Sequence, residues 1–285
     1  MTTTIPTETS AIRSATTAPR RGPRWWASRV AMVLTMPIAL IVLWQILGSI
    51  FPSPFIPTPA KLGDYASKLF FTGGAYMSPA KAWFGNGLQT MGRALLGFVL
   101  GSVWGVFLGT CMGLSRVFRY TTSYVFEFLR AIPATAVLPL FILFLGGSDA
   151  MRVAFIAYSL SLYVLINAAN GVGSVDPALI TMGRAFRLSP SAVVFRIILP
   201  AALPQIYAGL RIATNGALIL AIVSEYFVAD NGIGYQIRAT STGFNLPGMW
   251  SWLLLLAVFG LVLNTVVESI ERRVLGWHRR SHGAG

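Results

Sequence analysis

The chain has 285 residues, of which 55% are hydrophobic and only 11% are charged, and its mean hydropathy is +0.66. Soluble domains carry roughly 25% charged residues, so the composition excludes an ordinary soluble domain and predicts a polytopic membrane protein. The formal net charge of +13 would also suit nucleic-acid binding, and the distribution of the basic residues has to decide between the two.

Long apolar segments define the predicted spans, because a membrane-crossing helix needs about 20 mostly apolar residues. We predict an all-α membrane domain over residues 29–275, preceded by a disordered tail (1–28) and followed by a polar tail (276–285). The fifth of six predicted spans contains the two charged residues Arg211 and Glu225. The spans are predicted at about 30–51, 92–114, 123–147, 151–172, 206–229 and 248–268.

The basic residues sort by side of the membrane, as the positive-inside rule requires. With the N-terminus inside, most of them fall in the N-terminal tail, after spans two and four, and after span six. The pattern predicts that both termini are cytoplasmic and explains the net charge without nucleic acid. Six basic residues are assigned to the outer side: Lys61, Lys68, Lys81, Arg93, Arg152 and Arg238.

Recognisable catalytic motifs are missing from the sequence. A nucleotide-binding P-loop needs a cytoplasmic lysine, whereas all three lysines are assigned outside. Cys111 is the single cysteine, and His278 and His282 lie in the C-terminal tail, so we propose no catalytic or metal-binding residue on this chain.

Polar residues and prolines inside the predicted spans form a candidate translocation pathway near span three, since charges in lipid are costly unless paired or hydrated. The alternative is a structural kink stabilised by a local Glu127–Arg130 pair, whose i, i+3 spacing is suitable. Both interpretations stay open from the residues alone. The candidate pathway residues are Glu127, Arg130, Pro133, Pro139, Asn215 and Glu225.

Span two contains a glycine at every fourth position: Gly97, Gly101, Gly105, Gly109 and Gly113. Small residues on one helix face allow close approach of a second helix. We therefore predict that this face packs against a neighbouring span rather than lining a pore.

Residues 174–205, called the two-helix loop below, interrupt the apolar sequence with several arginines and prolines. Leu179, Met182 and Phe186 form an apolar stripe on a first short helix. Ser189 followed by Pro190 is typical of a second helix start, and we expect Pro200 and Pro204 to end that helix. The pattern predicts a helix-turn-helix at the cytoplasmic surface. It faces either a partner or its own bundle and the lipid headgroups.

At these residues the chain resembles the permease subunits of binding-protein-dependent ABC importers. Their EAA loop reads Glu-Ala-Ala, three residues, Gly, nine residues, Ile-x-Leu-Pro, and its end matches Ile197, Leu199 and Pro200. The start departs from the pattern, because Thr181-Met182-Gly183 replaces Glu-Ala-Ala and Arg187 occupies the glycine position. Either Arg187 adopts a left-handed backbone at a cost of about 1 kcal/mol, or the Ser189-Pro190 start carries the turn.

Three further stretches resemble the nitrate, taurine and alkanesulfonate branch of that family: residues 129–146, 199–213 and 224–237. The resemblance implies a type I permease fold with six helices, in the inner membrane of a prokaryote. It also implies a second permease subunit, expected to be a second copy, two cytoplasmic ATPases that hold ATP and Mg, and an extracytoplasmic solute-binding protein. The residues expected to contact the ATPase are Met182, Gly183, Arg184, Phe186, Arg187, Ser189, Pro190, Phe195, Ile197, Leu199 and Pro200.

The expected function is therefore ATP-driven import of a small anion such as a sulfonate, nitrate or an organic carboxylate. Arg130 and Arg211 could offset its charge. One alternative is a permease for a pyrimidine-like heterocycle. An alternative of another class is an ion-coupled secondary transporter that uses Glu127 and Glu225 as relay carboxylates, although the inverted repeats typical of such transporters are not visible.

Overall fold

The computed structural model describes residues 23–275, and the side chains of residues 35–275. Every regular element in this part is helical, which confirms the predicted all-α class. Helix α1 falls in one compact unit, and the elements after Ser53 form another. The helices are α1 Pro23–Ile50, α2 Pro59–Ser67, α3 Pro79–Ala82, α4 Leu88–Leu114, α5 Arg116–Ala131, α6 Ala134–Leu145, α7 Asp149–Gly173, α8 Pro177–Ala185, α9 Pro190–Val193, α10 Leu199–Val228, α11 Ile233–Thr242 and α12 Leu246–Val274.

The terminal segments are only partly covered by the described residues. Helix α1 already begins at Pro23, inside the predicted tail 1–28, and its described apolar part is Thr35–Ile50. The rest of that tail and the predicted tail 276–285 lie outside the described residues.

Within the described part of the chain, four continuous helices are long and apolar enough to cross a membrane, and a bent pair of helices supplies a fifth candidate span. The continuous helices are Pro79–Leu114, Asp149–Gly173, Pro190–Val228 and Leu246–Val274. Two of them pass through a π-helical turn, at Trp83–Gly87 and at Val194–Ile198.

The third predicted span is a broken helix, in which α5 and α6 meet at an angle of 96°. The break lies at Ile132 and Pro133. A proline pushes the preceding residue out of the helical region, and Ile132 is accordingly extended, with φ −74° and ψ 123°. Pro139, by contrast, stays inside α6.

The prediction that the second helix of the loop ends at Pro200 is wrong. Helix α9 continues through the π turn into α10, and Pro190–Val228 forms one helix of 39 residues. The N–H of Leu199 donates to the carbonyl oxygen of Val194, five residues earlier. A π turn of this kind changes the hydrogen-bond register just before Pro200, which has no N–H to donate.

The glycine face of α4 packs against α7, which confirms the packing interpretation. A Cβ on Gly101 would lie 2.6 Å from the carbonyl oxygen of Ala157, and one on Gly105 would lie 2.7 Å from the Cβ of Val164. The other three glycines are equally close to α7. Backbone contact at this distance leaves no room for a side chain, so the glycines fix the distance between the two helices.

Candidate functional site: the two-helix loop, the broken span and a buried polar network

The two-helix loop forms as its caps predict. The carboxylate of Asp176 accepts a hydrogen bond of 2.8 Å from the N–H of Ala178, and Pro177 is the first residue of α8. The hydroxyl of Ser189 accepts from the N–H of Ala192 at 3.3 Å, with Pro190 in the first position of α9. These caps satisfy amides that have no partner inside their own helix.

Arg187 adopts the left-handed backbone between the two helices, with φ 55°. The N–H of Leu188 donates to the carbonyl oxygen of Gly183 at 3.1 Å, and the N–H of Arg187 donates to that of Arg184 at 2.9 Å. This pair of bonds is a Schellman motif, in which glycine is usual at the left-handed position. The alternative that the Ser189-Pro190 start carries the turn without a left-handed residue is therefore wrong.

Gly183 is where the two short helices touch. It is buried, and a Cβ there would lie 2.5 Å from the Cδ1 of Ile197. Val193 and Ile198 are also buried, in an apolar cluster with residues of α7 and α10. Ile197 and Gly183 consequently hold the loop together, while its inner face is anchored on the bundle.

Three large apolar side chains of the two-helix loop are exposed and are called the exposed patch below: Met182, Phe186 and Phe195. Their exposed fractions are 56%, 77% and 70%. Arg184, Arg187 and the first residues Ser189 and Pro190 are exposed as well, whereas Leu199 and Pro200 are half-buried. The chain's own bundle therefore covers only the inner face of the two-helix loop. An apolar patch of this kind marks an interaction surface.

The broken span contains Arg130 in a narrow cleft between α5, α6 and the middle of α7. The cleft is lined by Leu129, Arg130, Ile132, Ala134, Val137, Tyr158, Ser159, Leu162 and Tyr163. Arg130 itself is exposed, as are Glu127 and Pro139 on the same two helices and Pro133 at the break between them. Among residues 35–275 no ion pair involves Glu127 or Arg130, so the local pair considered from their spacing does not form.

Asn215 and Arg211 lie elsewhere. Asn215 is exposed in a groove between α10 and α12, lined also by Thr214, Leu218, Ile219, Leu256 and Gly260. The guanidinium of Arg211 pairs with the carboxylate of Glu271 at 2.9 Å, which joins the same two helices. The candidate pathway residues are therefore not gathered in one place.

Glu225 lies in a buried polar network near the end of α10 that is remote from the two-helix loop. Its carboxylate is fully buried and pairs with Arg93 at 2.6 Å. It also accepts hydrogen bonds from the hydroxyl of Thr90 at 2.7 Å and from the N–H of Gly234 at 3.0 Å. The structure places Glu225 in this network rather than along an open path.

The same network caps α11 with side chains from α4 and its preceding π turn. Asn86 accepts from the N–H of Gly232 at 3.0 Å, and the Thr90 hydroxyl accepts from the N–H of Ile233 at 2.8 Å. Gly232 has φ 100°, and a Cβ there would collide with the Glu225 carboxylate. This explains why the chain turns sharply between α10 and α11 at a glycine.

Arg93 and Arg152, both assigned to the outer side, are buried within the protein, with 4% and 3% of their surface exposed. Both donate to the Oδ1 atom of Asp149, at 2.7 Å and 2.5 Å. Arg152 also donates to the carbonyl oxygens of Gly147 and Val228. Sequence reasoning missed these roles because the pairs of Arg93 join helices far apart in the chain and leave no local pattern.

Comparison with known proteins agrees with this architecture. The model of the family "binding-protein-dependent transport system inner membrane component" matches residues 97–276. The putative aliphatic sulfonates transport permease protein SsuC of Bacillus subtilis (strain 168) is 29% identical over 252 residues, covering 88% of each chain. The taurine transport system permease protein TauC of Escherichia coli (strain K12) is 25% identical, covering 90% of this chain and 93% of its own.

A solved structure has the same fold. The inward-facing MetNI methionine ABC transporter contains a chain with a TM-score of 0.61 and 19% identity, covering 70% of this chain and 99% of that one. These similarities support the importer interpretation over the ion-coupled secondary transporter. The chain therefore belongs to the family of binding-protein-dependent transport system inner membrane components, as a permease subunit of an ABC importer.

Proposed function

We propose that two copies of this chain form the translocation pathway of an ATP-driven importer for a small organic anion. The class of solute is supported by the relatives, whose names state sulfonates and taurine. A solute-binding protein delivers the anion from the side opposite the two-helix loop. The protein lies in the inner membrane of a prokaryote, with the loop and both termini in the cytoplasm, as the distribution of basic residues predicts.

The exposed patch of Met182, Phe186 and Phe195 is the observation that carries the coupling role. ATP and Mg²⁺ bind to two separate ATPase subunits, and each ATPase receives one two-helix loop in a groove on its surface. Arg184 and Arg187 flank the patch and supply positive charge at its rim. A buried hydrophobic centre with a charged rim is the usual composition of a specific protein interface.

The continuous helix Pro190–Val228 connects this docking surface to the buried network around Glu225. A displacement of its cytoplasmic end therefore has a continuous helical connection to that network. Closure of the ATPase pair moves the loops, and the helix carries that movement through the membrane. ATP drives the switch because the ATP-bound ATPase pair favours one permease conformation over the other.

Phe195→Asp tests the proposal. We expect the ATPase to be lost on co-purification while membrane insertion is unchanged, because Phe195 projects away from the bundle. Ile197→Asp would be a poorer test, because Ile197 packs against Gly183 and its loss would unfold the loop itself. Ser191→Asp, also exposed on α9, is the matched control. Uptake that persists without ATP and collapses with the proton gradient would contradict the proposed function.

A further inference from the structure

The cleft at the broken span lies at the middle of the membrane domain. Its α7 residues, Tyr158 to Tyr163, occupy the centre of a 25-residue helix. At a rise of about 1.5 Å per residue, each of them lies at least roughly 13 Å from either end of α7. Solute sites of transporters are commonly found at this depth, next to interrupted helices.

Among the described residues that line this cleft, Arg130 alone is charged. No carboxylate within residues 35–275 pairs with it. Arginines near the ends of spans can extend to the headgroups, but the centre of α7 is too far from either surface. A cation held there without a partner is costly, and such residues usually serve transport.

The remaining lining suits an anion that carries a hydrocarbon group. The hydroxyls of Tyr158 and Tyr163 make no hydrogen bond within the described part of the chain, so both are available as donors. Ser159 already donates to the carbonyl oxygen of Phe155 at 2.8 Å. The other lining residues are aliphatic: Leu129, Ile132, Ala134, Val137 and Leu162.

We propose that this cleft is an intramembrane subsite for the transported anion, an inference that rests on the proposed function. Arg130 receives the sulfonate or carboxylate group, since a guanidinium can donate two hydrogen bonds to two of its oxygens. Tyr158 and Tyr163 donate to the remaining oxygen. The hydrocarbon group contacts the aliphatic side chains on α5, α6 and α7.

The cleft must open to receive its ligand. In this conformation it encloses about 10 Å³, room for about one water molecule. The α5–α6 pair is weakly held, because α5 has no buried residue and Leu138 is the only one in α6. A rotation at Ile132 and Pro133 would separate α6 from α7 and widen the cleft beside Arg130, which is already exposed at its mouth. The narrow form then corresponds to a state in which the subsite is closed.

The test uses the full importer, with its own ATPase and binding protein, in proteoliposomes supplied with radiolabelled ethanesulfonate, benzoate or nitrate. We expect Arg130→Gln to lower uptake of the organic anions at least about tenfold, the loss typical of one charge-assisted hydrogen bond. Arg130→Lys should retain most of the uptake because it keeps the charge. Co-purification of the ATPase and the binding protein checks that both variants still assemble.

Arg116→Gln, an exposed arginine at the other end of α5, is the matched control and should transport at the wild-type rate. Wild-type uptake by Arg130→Gln would overturn the subsite. So would dissociation of the complex on that substitution, which would show that Arg130 pairs with the second permease subunit. If the wild-type importer takes up none of the three anions in the presence of ATP, the anion part of the proposed function itself fails.

Discussion

Arg93 on α4 and Glu225 on α10 form a salt bridge of 2.6 Å between two side chains that are almost completely buried, with 5% and 0% exposed. The pair is completed by Thr90, by the N–H of Gly234 and by Asn231, which accepts from Arg93. A buried ion pair is stable only when such additional bonds satisfy both partners. The pair therefore fixes α10, α11 and α4 to one another at the end remote from the two-helix loop.

Removal of one partner of this pair should destabilise the protein strongly. Arg93→Gln leaves the Glu225 carboxylate buried without its counter-charge, which costs about 3–5 kcal/mol. Thermal unfolding of the detergent-solubilised protein measures the loss. Arg272→Gln breaks an exposed pair with Glu268 on α12 and should leave the midpoint nearly unchanged. Equal effects of the two substitutions would refute a structural role for the Arg93–Glu225 pair.

Close packing of α4 on α7 should fail when a glycine of the face is enlarged. In Gly101→Val the new Cβ meets the backbone of Ala157, which cannot yield as a side chain could, and we expect a loss of roughly 3 kcal/mol or more. Gly92→Ala on the same helix is the control, because nothing lies within 4 Å of its Cβ position. That substitution should stabilise α4 by up to about 1 kcal/mol. Melting curves that show the same shift for both would disprove the packing role.

Arg187→Gly should stabilise the turn of the two-helix loop. A left-handed backbone costs a residue with a side chain about 1 kcal/mol, and glycine avoids this cost. Arg187→Ala removes the same side chain without relieving the backbone, so the difference in unfolding free energy between the two variants isolates the conformational effect. We also expect Arg187→Gly to keep ATP-driven transport. A severe loss of transport in both variants would show that the Arg187 side chain makes an essential contact with the ATPase.

Local patterns predicted the two-helix loop well because each of its determinants is local. Ser189 accepts a hydrogen bond from an amide of the first turn of α9, and Pro190 has no N–H that needs a partner. Neither effect depends on distant parts of the chain. The glycine face of α4 could also be predicted, because small residues on one helix face indicate the close approach of another helix. The pattern does not identify that helix as α7.

Contacts between distant segments could not be predicted in this way. Arg93 was assigned only to the outer side and Glu225 only to a candidate pathway, because hydropathy indicates the cost of burying a charge but does not identify the partner that offsets it. The break at Pro133 was recognised as a possible kink, but its 96° angle depends on packing of α6 against α7. Pro200 failed as a helix end because the π turn before it accommodates a residue without an N–H.

Tyr76, outside the spans, links two buried residues through its hydroxyl. It accepts a hydrogen bond of 2.6 Å from the indole N–H of Trp252 and donates one of 3.0 Å to the Oε1 atom of Gln236. Although 47% of the residue is exposed, burial around the hydroxyl raises the pKa of Tyr76 to about 12. Because the folded-state pKa lies above the unfolded value near 10, the contribution of Tyr76 to stability is present below about pH 10 and is lost as the pH rises towards 12.

Tyr76→Phe leaves the fully buried Trp252 indole without an acceptor and should cost about 1–3 kcal/mol at neutral pH. Absorbance titration of tyrosinate, compared between wild type and Tyr76→Phe, identifies the late-titrating group. A difference spectrum that titrates near the ordinary tyrosine pKa would contradict the buried hydroxyl.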